Sequence, residues 1–245
     1  MSGHSKWHSI KHKKAANDAA RGKVLTKHSK IISVVARTDP NPETNPTLRN
    51  VIQNAKSDGV PKDNIEKMLK KASGGDKDGA VYSEQVYEGF GPDGIPFMVS
   101  ALTDNIHRTF PSVRTAFHKN GGNLGSSGSV KFLFDHIGVI RVKNEGKSED
   151  ELFEAAIEAG ATDFNYDEEE SEILTEFSDL GKVRDALTGK LEVAKSEPQY
   201  RAKDPKMITT QADLDRMEKF IAAVEEAEDV DEVFGGFDVD ESLIN

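Results

Sequence analysis

The stretch 137–194, IGVIRVKNEGKSEDELFEAAIEAGATDFNYDEEESEILTEFSDLGKVRDALTGKLEVA, reads as six elements in a fixed order. An apolar run at 137–142 predicts a strand. The pattern at 149–159 has helical spacing and is stopped by Gly160. Two short strands, 163–166 and 173–177, flank the acidic turn Asp167-Glu168-Glu169-Glu170. A second helix, 180–187, is stopped by Gly189, and 191–194 returns as a strand. The order β-α-β-β-α-β is that of a ferredoxin-like domain, complete in itself.

The flanks of this block do not close on their own. Upstream, strands at 85–90 and 95–103 surround Gly91-Pro92-Asp93-Gly94, a turn sequence that predicts a hairpin. A helix follows at 110–119, with Pro111 in its first turn, Val113, Ala116 and Phe117 inward, and Gly121-Gly122 ending it. A strand at 130–134 completes this block of three strands and one helix. Downstream stand a helix at 214–227, with Leu214, Met217, Ile221 and Val224 inward, and a last strand at 233–239. These two have no sheet of their own. The economical solution returns them to the first α/β block, so that 137–207 is an inserted domain.

The N-terminal part is helical. Leu25, His28, Ile32 and Val35 form one face of a helix over 17–37. Asn45-Pro46 is an N-cap followed by proline at the first helical position, ahead of the stripe Leu48, Val51, Ile52 and Ala55. Gly59 ends that helix. Pro61 opens another, with Ile65, Met68, Leu69 and Ala72 inward, and Ser73-Gly74-Gly75-Asp76 stops it. Each helix is near the length at which isolated helices are marginal, so they must pack together. The expected fold class is α+β in three domains: a basic helical bundle over 1–78, an α/β domain of 79–136 with 208–245, and the inserted α/β domain of 137–207. The segment 76–79 is the linker between the first two.

Charge is distributed unevenly over these parts. Of the 245 residues, the first 75 carry 15 Lys and Arg against 6 Asp and Glu; the rest carry 17 against 37. A basic module on an acidic body suggests a polyanion as partner. Absence of cysteine excludes disulfides, thiolate metal sites and cysteine nucleophiles. The start of the chain has no apolar core of a signal peptide, and the apolar run at 95–99 is far too short to span a bilayer. A soluble cytoplasmic protein, without a membrane partner and monomeric, is the expectation.

Eight Lys and Arg stand between His4 and Lys30 against one acid, Asp18. Lys6, Lys11, Lys13, Lys14, Arg21, Lys23 and Lys27 are candidate phosphate contacts, because cations that neutralise phosphates release counterions and gain sequence-independent affinity. Trp7 either stacks on a base or braces the segment, and His4 lies in the same motif. His4, His8 and His12 are spaced by four, but they sit among lysines that repel a cation, so neither a metal nor a cofactor is expected. A second candidate region is 103–109, read as a loop that leads to a helix N-terminus, where Asn105 and Arg108, with Arg114 beyond, would favour an anion. Asp104 or Thr109 as a simple capping residue is the plainer reading. The glycine-rich run 121–129 lacks the ending of a phosphate-binding loop and reads as a helix stop followed by a tight, mobile turn. Asp104 and His107 lack a third group or nucleophile, so no catalytic residues are assigned. The acidic runs at 167–170 and 225–229 have no calcium-loop spacing.

Several of these motifs together resemble the YebC/PmpR family: Gly3-His4-Ser5-Lys6-Trp7 with Lys13-Lys14 and Asp18; the run from Asn45-Pro46 to Gly75 with 61–66; 87–92; 102–105 with Arg108-Thr109; and 121–125 with 128–130. The resemblance is collinear over nearly the whole chain. It implies three domains around a cavity, no catalytic activity, and a role in gene expression. That role is either a DNA-binding transcriptional regulator or a ribosome-associated, RNA-binding translation factor that relieves stalling, as in the mitochondrial activators of cytochrome oxidase translation. His8, Leu25, Ile106-His107 and Gly235-Gly236 depart from the family pattern.

Overall fold

The computed structural model describes residues 20–72 and 81–243. They fall into two compact units. One takes in 81–135 and 200–243 with the first turn of the first helix; the other takes in 24–72 and 136–199. The chain passes from the first unit to the second at Asp135/His136 and returns at Gln199/Tyr200.

The second unit opens with three helices: α1 (Ala20–Val35), α2 (Pro46–Ser57) and α3 (Lys62–Lys70). The Asn45 side chain accepts the Leu48 N–H and caps α2 as its sequence predicts, and Gly59 turns the chain at φ +77°. Ile32, Ala36, Leu48, Ala55, Val60 and Ile65 form an apolar core here. His28 is buried and its Nε2 lies 2.8 Å from Asp58 Oδ2. Burial pushes the Asp58 carboxyl upward, but the His28 bond, together with the Lys195 charge and the electrostatic pull of the His28 ring, outweighs it and holds the group below the ordinary aspartate value.

The rest of this unit is β4 (Phe134–Lys143), α5 (Glu149–Ala159), β5 (Asp163–Asn165), β6 (Glu170–Glu176), α6 (Leu180–Leu187) and β7 (Glu192–Ala202), in sheet order β5-β6-β4-β7. Both helices match their expected bounds. Ser148 and Glu151 make a capping box on α5, and Gly160 ends it in the left-handed region. Ile140, Val142, Leu152, Ala156, Ile173, Val183 and Leu187 make its core. The Asn50 and Asn54 amides donate to Ser196 O, and Ser196 N–H donates to Asn54, which fastens α2 to β7.

The last strand of this block is far longer than the expected 191–194. Pro198 lies within it, and a proline is tolerated because β7 is an edge strand.

In the first unit, β1 (Ser83–Phe90) and β2 (Pro96–Thr103) pair antiparallel from Ser83↔Thr103 to Phe90↔Pro96. Gly91-Pro92-Asp93-Gly94, in the five residues between them, form the expected turn, with Asp93 at φ +57°. The unit continues with α4 (Ile106–Lys119), β3 (Asn123–Leu124), β8 (Lys206–Ile208), α7 (Gln211–Glu225), β9 (Val230–Gly235) and β10 (Phe237–Val239). β9 adds antiparallel to β2, giving sheet order β3-β1-β2-β9. The C-terminal strand therefore does complete the hairpin sheet. Phe97, Val113, Phe117, Leu214, Met217, Phe220, Ile221, Val224 and Phe237 fill the space between that sheet and α4 and α7.

Three expectations need correction. The single strand at 233–239 is two strands in two sheets: β10 leaves the main sheet and pairs parallel with β8, which the sequence did not announce. The break falls at Gly236, whose backbone presses on Pro96 so closely that a Cβ would stand 2.5 Å from Pro96 Cγ. The strand at 130–134 is a 3-10 turn over Lys131–Leu133, and β4 begins only at Phe134. The helix expected at 110–119 begins four residues earlier, with consequences for the candidate site.

Candidate nucleic-acid interface

His4, Lys6, Trp7, Lys11, Lys13 and Lys14 lie outside the described residues, as does the side chain of Arg21. Lys23 is exposed on α1 and Lys27 is half-exposed one turn on. Spacing by four places both on the side of α1 away from buried Ile32.

Asn105, Arg108 and Arg114 are all set by α4. Asn105 is its N-cap: the backbone is extended at φ −147° and the side chain accepts the Arg108 N–H at 3.3 Å. Neither Asp104 nor Thr109 caps the helix, and 106–109 is its first turn rather than a loop. Pro111 is the sixth helical residue, so it deletes one ladder bond instead of occupying a free N–H position. Thr109 is fully buried and its hydroxyl lies 2.7 Å from Thr103 Oγ1 and 2.8 Å from Asp229 Oδ2.

Arg108 is engaged by carboxylates. Its guanidinium lies 2.9 Å from Asp104, 2.9 Å from Glu228 and 2.6 Å from Asp229. Its hydrogen bonds to Asp229 and then Asp104 hold it more firmly protonated than a free arginine. Asp229 has φ +70°, in a region an aspartate adopts under constraint, and its carboxylate is gathered by Arg108, Thr103 and Thr109. One cation among three acids leaves this end of α4 with no surplus positive charge for a phosphate.

The other end of α4 differs. Arg114, His118 and Lys119 are exposed, and none of their side chains makes a hydrogen bond or ion pair among the described residues. With Phe110, Pro111 and Thr115 they line a recess of about 370 Å³. Phe110 is 41% exposed, and its ring leans on Tyr87 with centroids 6.2 Å apart. Burial, and then the nearby Asp229 charge, raise the Tyr87 phenol above its ordinary pKa. Sequence reading named Arg114 but missed Phe110, His118 and Lys119. The signal was their spacing, 110-114-118, which the helix expected at 110–119 already puts on one face.

The glycine-rich run beside this helix is tied down rather than loose. Gly121, at φ +84°, follows α4, and the Gly125 N–H bonds Glu88 O. Glu88 is buried, and its carboxylate accepts the N–H groups of Gly128, Val130 and Lys131 at 2.7, 2.9 and 2.8 Å. Burial pushes this carboxyl upward, and the three N–H donors more than reverse it, holding it below the ordinary glutamate value. The residues next to this anchor are presented outward: Phe132 is 66% exposed.

Two family models match the chain: the TACO1/YebC protein N-terminal domain over residues 5–75, and the TACO1/YebC second and third domain over 82–237. A probable transcriptional regulatory protein of Corynebacterium kroppenstedtii is 42% identical over 246 residues, covering 100% of this chain and 98% of that one. One from Hathewaya histolytica is 45% identical, with 96% of each chain covered. The crystal structure of a conserved hypothetical protein from Aquifex aeolicus is 40% identical, covers 98% of this chain and 100% of its own, and superposes with a TM-score of 0.87. Among the described residues, no helix is long and apolar enough to cross a membrane.

Proposed function

Because the chain belongs to the TACO1/YebC family, we propose that it is a non-enzymatic, cytoplasmic regulator of gene expression that binds nucleic acid as a monomer and acts on RNA at the ribosome. The observation that carries this reading is the segregation of charge. The first 75 residues hold 15 Lys and Arg against 6 Asp and Glu, on a chain whose net charge is −11. Lys6, Lys11, Lys13, Lys14, Arg21, Lys23 and Lys27 hold phosphates, and His4 and Trp7 contact the same strand. Arg114 supplies a second contact. Asn105 and Arg108 serve that contact by fixing α4, since one caps the helix and the other is satisfied by three carboxylates. The acidic remainder repels the polymer and so orients it toward the basic end. The division into domains 1–78, 79–136 with 208–245, and 137–207 belongs to the same proposal. It is supported by separate apolar cores in the helical, hairpin and inserted parts.

RNA is favoured over promoter DNA because the sequence carries no recognisable DNA-recognition-helix signature. The names of the relatives favour the second reading, a DNA-binding transcriptional regulator. Crosslinking the protein in cells and sequencing the attached nucleic acid separates the two. Ribosomal or transfer RNA fragments, with the protein co-sedimenting with ribosomes, support translation. Sequence-selective promoter footprints without ribosome association remove it.

A further inference from the structure

Resting on that reading, we infer that the C-terminal half of α4 is a binding site for one unpaired nucleotide of a single-stranded RNA. Phe110 is the stacking surface, and Arg114 with Lys119 holds the flanking phosphates. Two properties of the recess point to this ligand. Its cations are uncommitted: Arg114 and Lys119, like the His118 beside them, carry no ion pair among the described residues, whereas Arg108, less than two turns before Arg114, is held by three acids. Cations left over on an acidic chain are complementary to an anion.

The second property is a part-exposed aromatic ring among those cations. Tyr87 supports the Phe110 ring at a centroid distance of 6.2 Å and a tilt of 49°. A ring so braced is ordered before the ligand arrives, which lowers the entropy lost on binding. The helix dipole explains basic residues in the last turn, His118 and Lys119. It does not explain Arg114 in mid-helix or an exposed phenylalanine beside it.

Phosphate contacts alone would accept duplex and single strand alike. A phenyl ring adds affinity only when a base face is free, because paired bases are already stacked. The site therefore discriminates for unpaired RNA. Its residues are not those of the N-terminal lysine set and can be changed without them.

Fluorescence anisotropy of the full-length protein, with a fluorescein-labelled 12-nucleotide RNA single strand and the same sequence as a blunt duplex, tests this. Phe110→Leu keeps an apolar side chain and removes the ring. It is expected to weaken single-strand binding by about 5-fold to 150-fold, with duplex binding unchanged. Arg114→Gln with Lys119→Gln is expected to weaken both and to reduce the salt slope for the single strand by about 1.4. Equal single-strand affinity in wild type and Phe110→Leu overturns the stacking role. An unchanged salt slope in the double variant overturns the phosphate role. If these variants bind like wild type while a chain with Lys11, Lys13, Lys14 and Lys23 all changed to Gln loses RNA, this site fails and the proposed function stands. If the wild-type chain binds no nucleic acid, both fail.

Discussion

Glu88→Gln replaces one oxygen of a buried carboxylate that three backbone N–H groups share, and its cost can be worked from that geometry. An amide that keeps its oxygen toward Val130 and Lys131 must turn its NH₂ toward the Gly128 N–H. One charge-assisted bond is then lost, about 1.5–3 kcal/mol, and two others fall to neutral strength at about 1 kcal/mol each. Removing a buried charge returns part of this. The net loss is about 2–4 kcal/mol, concentrated in 125–131. Amide hydrogen exchange reads it directly: protection at Gly128, Val130 and Lys131 should fall roughly 30-fold to 1000-fold at pH 7, while Ile140 in the second unit keeps its protection. The carboxyl is held below its ordinary value in the folded chain. Its contribution is therefore whole above roughly pH 4.5 and disappears as pH falls through the folded value, so wild type and variant should converge in acid. Protection at the three amides within threefold of wild type at pH 7 would refute the claim that Glu88 anchors the loop.

The remaining predictions concern other contacts. Arg108→Gln should lower the melting temperature, because Asp104, Glu228 and Asp229 lose their common cation. It should leave the salt slope of RNA binding within about 0.3 of wild type; a slope reduced by a full phosphate would return Arg108 to the interface. Gly236→Ala forces a Cβ against Pro96 and should cost about 1–3 kcal/mol in chemical denaturation. Gly22→Ala, with open space around it on α1, should instead gain about 0.5–1 kcal/mol. Asp58→Asn removes the carboxylate that His28 holds and should destabilise the α1–α3 helices by about 1–3 kcal/mol at pH 7. Because the Asp58 carboxyl is depressed in the folded state, that difference should shrink as pH falls below about 4, followed by urea titration at several pH values.

The elements that the sequence announced are those whose signals are local. α5 and α6 carry amphipathic spacing and a glycine stop, and both were placed to the residue. Asn45 and Pro46 likewise mark the start of α2 without ambiguity. At α4 the local signals compete. Asp104, Asn105 and Thr109 are all capping residues, and Pro111 suggests a first turn; only the buried Thr103–Thr109–Asp229 cluster selects Asn105. Only the apolar start of β7 reads as a strand, because its 195–202 half is polar and contains Pro198, which only an edge position permits. Gly236 breaks the last strand through contact with Pro96, 140 residues away in sequence. The candidate site divides in the same way. A run of lysines near the N-terminus is its own signal. The partners of Arg108 at 228 and 229 depend on a distant return of the chain.

The salt dependence of RNA binding, with Lys11, Lys13, Lys14 and Lys23 all changed to Gln, bears most directly on the proposed function. Wild type should show log K falling with log salt at a slope of about −3.5 or steeper, and the variant a slope about 3 shallower with affinity lost at physiological salt. An unchanged slope and affinity toward both RNA and DNA would show that the basic end of this chain does not grip a phosphate backbone.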